Sequence, residues 1–304
     1  MKKVQNFFST IFLLEIKKER RAVRTAKYIM ARHNEVYIYG MVIVEPRISK
    51  DKDGNYLRGV IPLMLIRGDR EIGNQDLINV RFDSPFIISQ NPDIISKMEK
   101  FKLYDMIEVK GTITTKNIIK SKFCDCGCKA SKKGTMTFIS PIYMDVREHC
   151  EDEQEGRTLL KKRCEISNTI TVIGNVTNEP SYYHSDKLST LQYTLAINRK
   201  FFIREDKSAS RTDYPIVKEF GKRAEEDHRK IQQGTGLLIN GMIQTREYSQ
   251  KIVCPECEQE LEINDVATEI IPYAVEYLNN TITDEEIEEK EKEKTQELKK
   301  NIFG

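Results

Sequence analysis

The chain has 304 residues, 32% of them charged, with a net charge of +2 and a mean hydropathy of −0.54. That length supports two domains of ordinary size, no run reaches the roughly eighteen apolar residues of a membrane span, and the net charge alone selects no partner. Seven cysteines, five of them at positions 124, 126, 128, 254 and 257, do not form a spread disulfide framework. Clustered thiols in a reducing compartment point instead to zinc.

Residues 1–34 are basic, and Phe7, Phe8, Ile11, Leu13 and Leu14 suit an amphipathic helix. The segment imitates a signal peptide, but Glu15 interrupts its apolar run and no small-residue cleavage site follows. A cytoplasmic protein is expected, with this helix packed on a barrel or a neighbouring subunit.

The rest of the chain repeats itself. "VYIYGMVIVEP" (36–46) and "ITVIGNVTNEP" (170–180) share Gly-x-Val-x-x-Glu-Pro at an offset of 134, and long alternating runs carry Gly111 and Gly241 at an offset of 130. The unit is therefore duplicated, giving a first domain at 35–150, a linker at 151–167 and a second domain at 168–280. In the second, alternation predicts strands at 169–177, 190–198 and 213–220, a helix at 221–234, and strands at 236–248 and 267–278. Glycines 174 and 241 permit sharp bends. Three strands, a helix and two more bent strands fit the five-stranded OB-fold; an all-β domain of another strand order is the alternative. The predicted fold is thus all-β: two tandem OB-fold barrels of five strands and one helix each, between an N-terminal helix and a charged C-terminal tail at 281–304.

Through "ITVIGNVTNEP", "YTLAINRKF", "DYPIVKEFGKRAE", "IQQGTGLLINGMIQTREY" and "ATEII", residues 168–275 resemble the bacterial single-stranded-DNA-binding protein family. Residues 35–145 follow through the internal repeat. The resemblance implies a strand-coating protein rather than an enzyme, whose two-barrel chains pair as homodimers or higher oligomers. It also implies stacking aromatics at Phe201, Tyr214, Phe220 and Tyr248, with Arg199, Lys200, Arg204, Lys222 and Arg246 as phosphate partners. Phe220 equally fits a core position. Tryptophan, frequent at such sites in the family, is absent here, so weaker stacking per base is expected. The first barrel is poorer: Phe82 is taken as the counterpart of Phe220 and Lys116 of Arg246, while Ile118 stands opposite Tyr248. Unequal labour follows, with the first barrel adding charge through Arg67, Arg70, Arg81 and Lys116.

Both cysteine groups fall between strands four and five of their barrels. Cys254-Pro-Glu-Cys257 is a C-x-x-C pair, which contributes two of the four ligands of a closed zinc site. Two of Cys124, Cys126 and Cys128 complete it, within one chain or across a dimer. The alternatives are completion by Cys150 or His149, a decayed loop, or a redox pair. A redox C-x-x-C normally opens a helix, whereas this one lies in a hairpin loop.

The tail carries a net −3, leaving the remainder at +5, a mildly basic body compatible with nucleic acid. In the family such tails recruit replication and recombination proteins; here lysines precede the apolar Ile302 and Phe303. No nucleotide-binding loop or H-E-x-x-H occurs, and the four histidines are scattered. The expected function is coating of single-stranded DNA in replication, recombination or mobile-element transfer, with structural zinc and no membrane partner. The rivals are an OB-fold assembly protein that binds protein or RNA, stapled by zinc, and an enzyme using the barrels as substrate clamps.

Overall fold

The computed structural model describes residues 33–70, 77–199, 212–283, 285–289 and 292–293, without the side chains of Asp69 and Arg70. The expected N-terminal helix and the apolar tip of the tail lie outside the described residues. Among those described, no helix is long and apolar enough to cross a membrane.

Alternation in the sequence becomes alternation of burial. The first half folds as β1 (Asn34–Val42), β2 (Arg47–Lys50), β3 (Tyr56–Arg70), β4 (Leu77–Asp83), β5 (Phe86–Ser89), α1 (Pro92–Met98), β6 (Asp105–Phe123) and β7 (Lys129–His149). After α2 (Glu153–Lys162) and α3 (Cys164–Ser167), the second half repeats the series. It comprises β8 (Asn168–Val176), β9 (Ser181–Ser185), β10 (Leu188–Asn198), β11 (Thr212–Asp213), β12 (Ile216–Phe220), α4 (Gly221–Lys230), β13 (Gly236–Val253) and β14 (Glu260–Asn279).

Each half closes in the OB manner, with a parallel contact between the third and fifth strands: Ile87 beside Ile139, and Val217 beside Ile270. The third strand is broken in both copies. Pro85 and Pro215 have no N–H for a ladder, and their carbonyls accept from Leu63 N and Leu195 N. Gly111 and Gly241 mark the bends: a Cβ there would collide with the carbonyl oxygens of Ser140 and Ile271, and the strand register slips at both places.

The two barrels share one sheet. β1 pairs antiparallel with β8, Asn34 opposite Val172, Val36 opposite Ile170, and Ile38 opposite Asn168, so an approximate two-fold axis passes through the Val36–Ile170 pair. Buried polar groups obey it. The Asn34 amide exchanges hydrogen bonds with the Ile113 backbone, as Asn168 does with Ile243. One apolar core runs through both barrels, from Ile61 and Leu63 through Val36 and Ile170 to Leu237 and Ile270.

Two expectations are corrected. The stretch read as a linker, 151–167, is helical: Asp152 caps α2 by accepting from Glu155 N, and Leu160 and Cys164 pack with Tyr39, Met41 and Met64. The fourth and fifth strands also run well past their predicted ends. Residues 129–134 and 260–262, read as loop, are strand, and each turn shrinks to about five residues around the cysteines. The pairing persists because the two hairpin ends, here called the first arm (β6/β7) and the second arm (β13/β14), cover one another.

Candidate nucleic-acid interface and thiol cluster

The outer face of the second barrel sheet carries an aromatic row. Thr190 of β10 lies between Tyr183 of β9 and Phe220 of β12. Beyond the Val217–Ile270 pair, β14 bulges between Pro272 and Ala274, and the bulged residue is Tyr273, held beside the start of the helix that follows Phe220. Arg223 donates to the Tyr273 carbonyl at 2.7 Å. Tyr183, Phe220 and Tyr273 are 62%, 39% and 51% exposed, far above core values. Lys218 stands 5.6 Å from the Phe220 ring centre, Lys222 is exposed, and Tyr214 is exposed in the break between β11 and β12. Neighbouring strands lie about 4.8 Å apart, so aromatic faces and cations are interleaved over a few base lengths.

Phe220 is thus a surface residue and its core alternative fails. Tyr183 and Tyr273 were missed: each occupies an outward position of a strand, but their neighbourhood depends on register across the sheet. In the first barrel the equivalent row is Ser49, Arg58, Gln90 and Ile142, without an aromatic.

Several predicted contacts sit elsewhere. Arg199 is buried and binds Asp213 through Nε at 2.5 Å and Nη2 at 2.8 Å. That engagement takes its guanidinium away from any phosphate. Asp213 also accepts from Thr115 N of the first barrel at 2.7 Å. The two-fold mate is Asp83, which holds Arg67 and accepts from Thr245 N at 2.6 Å. Arg67 and Arg199 therefore lock the barrels together. Phe82 corresponds to Thr212, not Phe220, since Asp83 matches Asp213; its ring is half-buried, with the Arg157 guanidinium 4.3 Å from its centre.

Tyr248 is not at a strand end. It lies within β13, accepting from Lys120 at 3.0 Å and donating to Asp265 at 2.8 Å, a link between the arms. Arg246 is half-exposed and paired with buried Glu269 at 3.0 Å. Arg81 and Lys116 are exposed. Lys200, Phe201, Arg204 and the Arg70 side chain lie outside the described residues.

Where the arms end, the cysteines meet. The sulfurs of Cys124, Cys126, Cys254 and Cys257 all lie within 4.8 Å of one another. Individual separations are 2.8 Å for Cys124–Cys126, 3.3 Å for Cys124–Cys257 and 3.7 Å for Cys126–Cys254. A tetrahedral four-sulfur zinc site has sulfurs about 3.8 Å apart, so the donor set and its span suit such an ion. Cys128 falls outside the four; its carbonyl closes the turn by accepting from Cys124 N. Cys150 is buried in the small core beside Tyr39 and takes no part. The site belongs to one chain, and a dimer is not needed to complete it.

The four thiols divide, with Cys126 and Cys254 shifted down and Cys124 and Cys257 shifted up. The Cys124 thiol donates to Cys126 and holds its pKa down at about 6, and backbone N–H groups of Cys257 and Glu256 lower that of Cys254. Cys124, which carries the shared proton, is pushed well up. Ala130, Ile252 and Leu261 pack beneath, and Gln259 and Asp125 tie the two turns at 2.8 Å.

Against known proteins, the Single-strand binding protein family matches residues 167–268. That stretch is the second barrel, from its first strand into its last. The single-stranded DNA-binding protein of Staphylococcus epidermidis is 27% identical over 84 residues, and single-stranded DNA-binding protein 2 of Clostridium acetobutylicum is 29% identical over 86. Each match covers 28% of this chain and only 63% and 62% of those relatives, so the chain spans less than two thirds of their length. Both barrels share a fold with a solved structure: the wild-type single-stranded DNA binding protein of Thermus aquaticus superposes over 82% of this chain and 95% of its own, with a TM-score of 0.50 at 16% identity. A deletion variant of the same protein covers 84% and 100%.

Proposed function

We propose that this protein binds and coats single-stranded DNA, without covalent chemistry, and that the second barrel is its principal contact surface. The observation that carries the proposal is the exposed row Tyr183–Phe220–Tyr273 with Lys218 and Lys222 beside it. Stacking on such faces is tolerant of sequence, and lysines follow the phosphates. Tyr214 extends the row toward the first barrel, since its N–H donates to Thr115 Oγ1 at 2.9 Å. Arg81 and Lys116 are exposed cations of the first barrel that would serve the strand, and Arg246 adds charge from a half-exposed position. Replication, recombination and mobile-element transfer all expose strands that such a coat would protect.

Titration with labelled oligo-dT and oligo-rU at several salt concentrations tests the reading. Length-dependent binding of oligo-dT that weakens as salt rises is expected; absence of binding at low salt overturns it and favours the assembly role.

The four-cysteine cluster is proposed as a structural zinc site held by Cys124, Cys126, Cys254 and Cys257, which clasps the arms. Bound there, zinc would replace the shared thiol protons and join segments about 130 residues apart. Protein purified without a polyhistidine tag should contain one zinc per chain, and Cys254→Ser should lose it. Zinc near zero with five freely titratable arm thiols would sink this part alone.

A further inference from the structure

The arms differ on the faces they turn away from each other. On the first arm, Ile119 and Phe123 of β6 are 72% and 70% exposed, and they pair across the hairpin with Lys133 and Lys129. Side chains directly opposed in an antiparallel pair share a face, so this is one apolar and basic surface. On the second arm, exposed Val253 pairs with Glu260, Lys251 with Glu262 and Glu247 with Val266. Three glutamates, 247, 260 and 262, thus share this face with one lysine, Lys251, which binds Glu260 at 2.6 Å and stands opposite Glu262, so the face is net acidic beside its valines. The inner faces are already used: Lys120 bridges to Tyr248 and Asp265, and Ala130 packs with Ile252 and Leu261.

We propose that these outer faces dock on one another between copies of the chain, the basic face of one molecule's first arm against the acidic face of the next molecule's second arm. The two surfaces match in kind, each one face of a two-stranded antiparallel ribbon. They match in charge, two lysines against three glutamates that share one lysine, and each offers apolar side chains. A nucleic acid strand could account for the basic face alone, and the acidic face would repel it. A second copy accounts for both.

The faces lie on opposite sides of the arm pair, so the contact is head-to-tail, and such contacts extend into rows instead of closing as pairs. Each ribbon is about 24 Å by 10 Å, which places the contact in the weak class. It would be expressed when copies are crowded or held side by side, as on a shared strand. This last consequence rests on the strand-binding reading, but the contact itself does not.

Sedimentation of the full chain without nucleic acid, from about 10 μM to about 0.5 mM, tests it. Concentration-dependent association beyond any basal oligomer, weakened by salt, is expected. K129E/K133E and E247K/E262K should each weaken that association by about tenfold or more. An equimolar mixture of the two variants should restore it, which also shows that both are folded. Wild-type protein with no such association at any concentration overturns the proposal, as does association that both variants leave intact. Loss of oligo-dT affinity in K129E/K133E with association unchanged would assign the face to the strand instead.

Discussion

Across the two-fold axis, Arg67 and Arg199 grip Asp83 and Asp213 in the same way, and each aspartate then reaches over to a threonine of the other barrel. On the outer sheet the correspondence ends: Gln90 and Ile142 stand where Phe220 and Tyr273 do. The buried contacts between the barrels constrain both copies at once, because each aspartate serves two partners. Nothing of that kind ties the solvent-facing rows together, and there the copies have diverged.

The sharpest way to break that comparison is at the shared aspartates. Asp213→Ala should cost about 3–5 kcal/mol, because it removes the buried carboxylate that binds the Arg199 guanidinium and the Thr115 N–H together. Asp83→Ala should cost less, since Arg67 keeps some access to water. Urea midpoints read the difference. Equal and negligible losses would mean that the barrels are not held together at these points.

The aromatic rows come next. Phe220→Ala and Tyr273→Ala should each cost about 1–3 kcal/mol of oligo-dT binding, while Gln90→Ala and Ile142→Ala leave the affinity unchanged. If the first-barrel variants lose as much, the labour is shared. Lys218→Gln should lower the salt dependence of binding by about one phosphate contact.

A smaller difference is expected in response to pH. Burial, and then the charge of Asp227, raises the pKa of Glu219 from 4.5 to about 9, while Tyr193 donates to it at 2.6 Å. The folded state binds this proton more tightly than the unfolded chain, so its contribution is complete below about pH 4.5 and is lost as pH rises toward 9. The Tm should therefore decline between neutral pH and pH 9, and Glu219→Gln should flatten that decline. An unchanged slope in the variant would mean that the carboxyl is ionised throughout.

Much of this was legible in the sequence. Alternation with Gly111 and Gly241 at fixed bends located the barrels, and the repeat brought two distant cysteine groups to corresponding turns. Other features depend on pairings that no local pattern records. Tyr183 and Tyr273 are 90 residues apart and become neighbours of Phe220 only through the order β9–β10–β12–β14. Arg199 looked like a phosphate ligand because its partner, Asp213, arrives from a separate strand. Phe82 was matched to Phe220 by residue type, whereas the register of β5 against β7 shows Gln90 to be the counterpart. The arms were read as loops because their polar residues face each other, a pairing invisible from either arm alone.

The antiparallel join of β1 to β8 has a directional consequence. A two-fold axis reverses every path that crosses it, but a nucleic acid strand has a 5′ and a 3′ end. A strand running straight over both barrels would traverse the second in one sense and the first in the opposite sense. Two identical grooves could serve it equally only if it turned back on itself. A single aromatic row on one barrel would remove that conflict and fix the polarity with which a strand lies on the molecule.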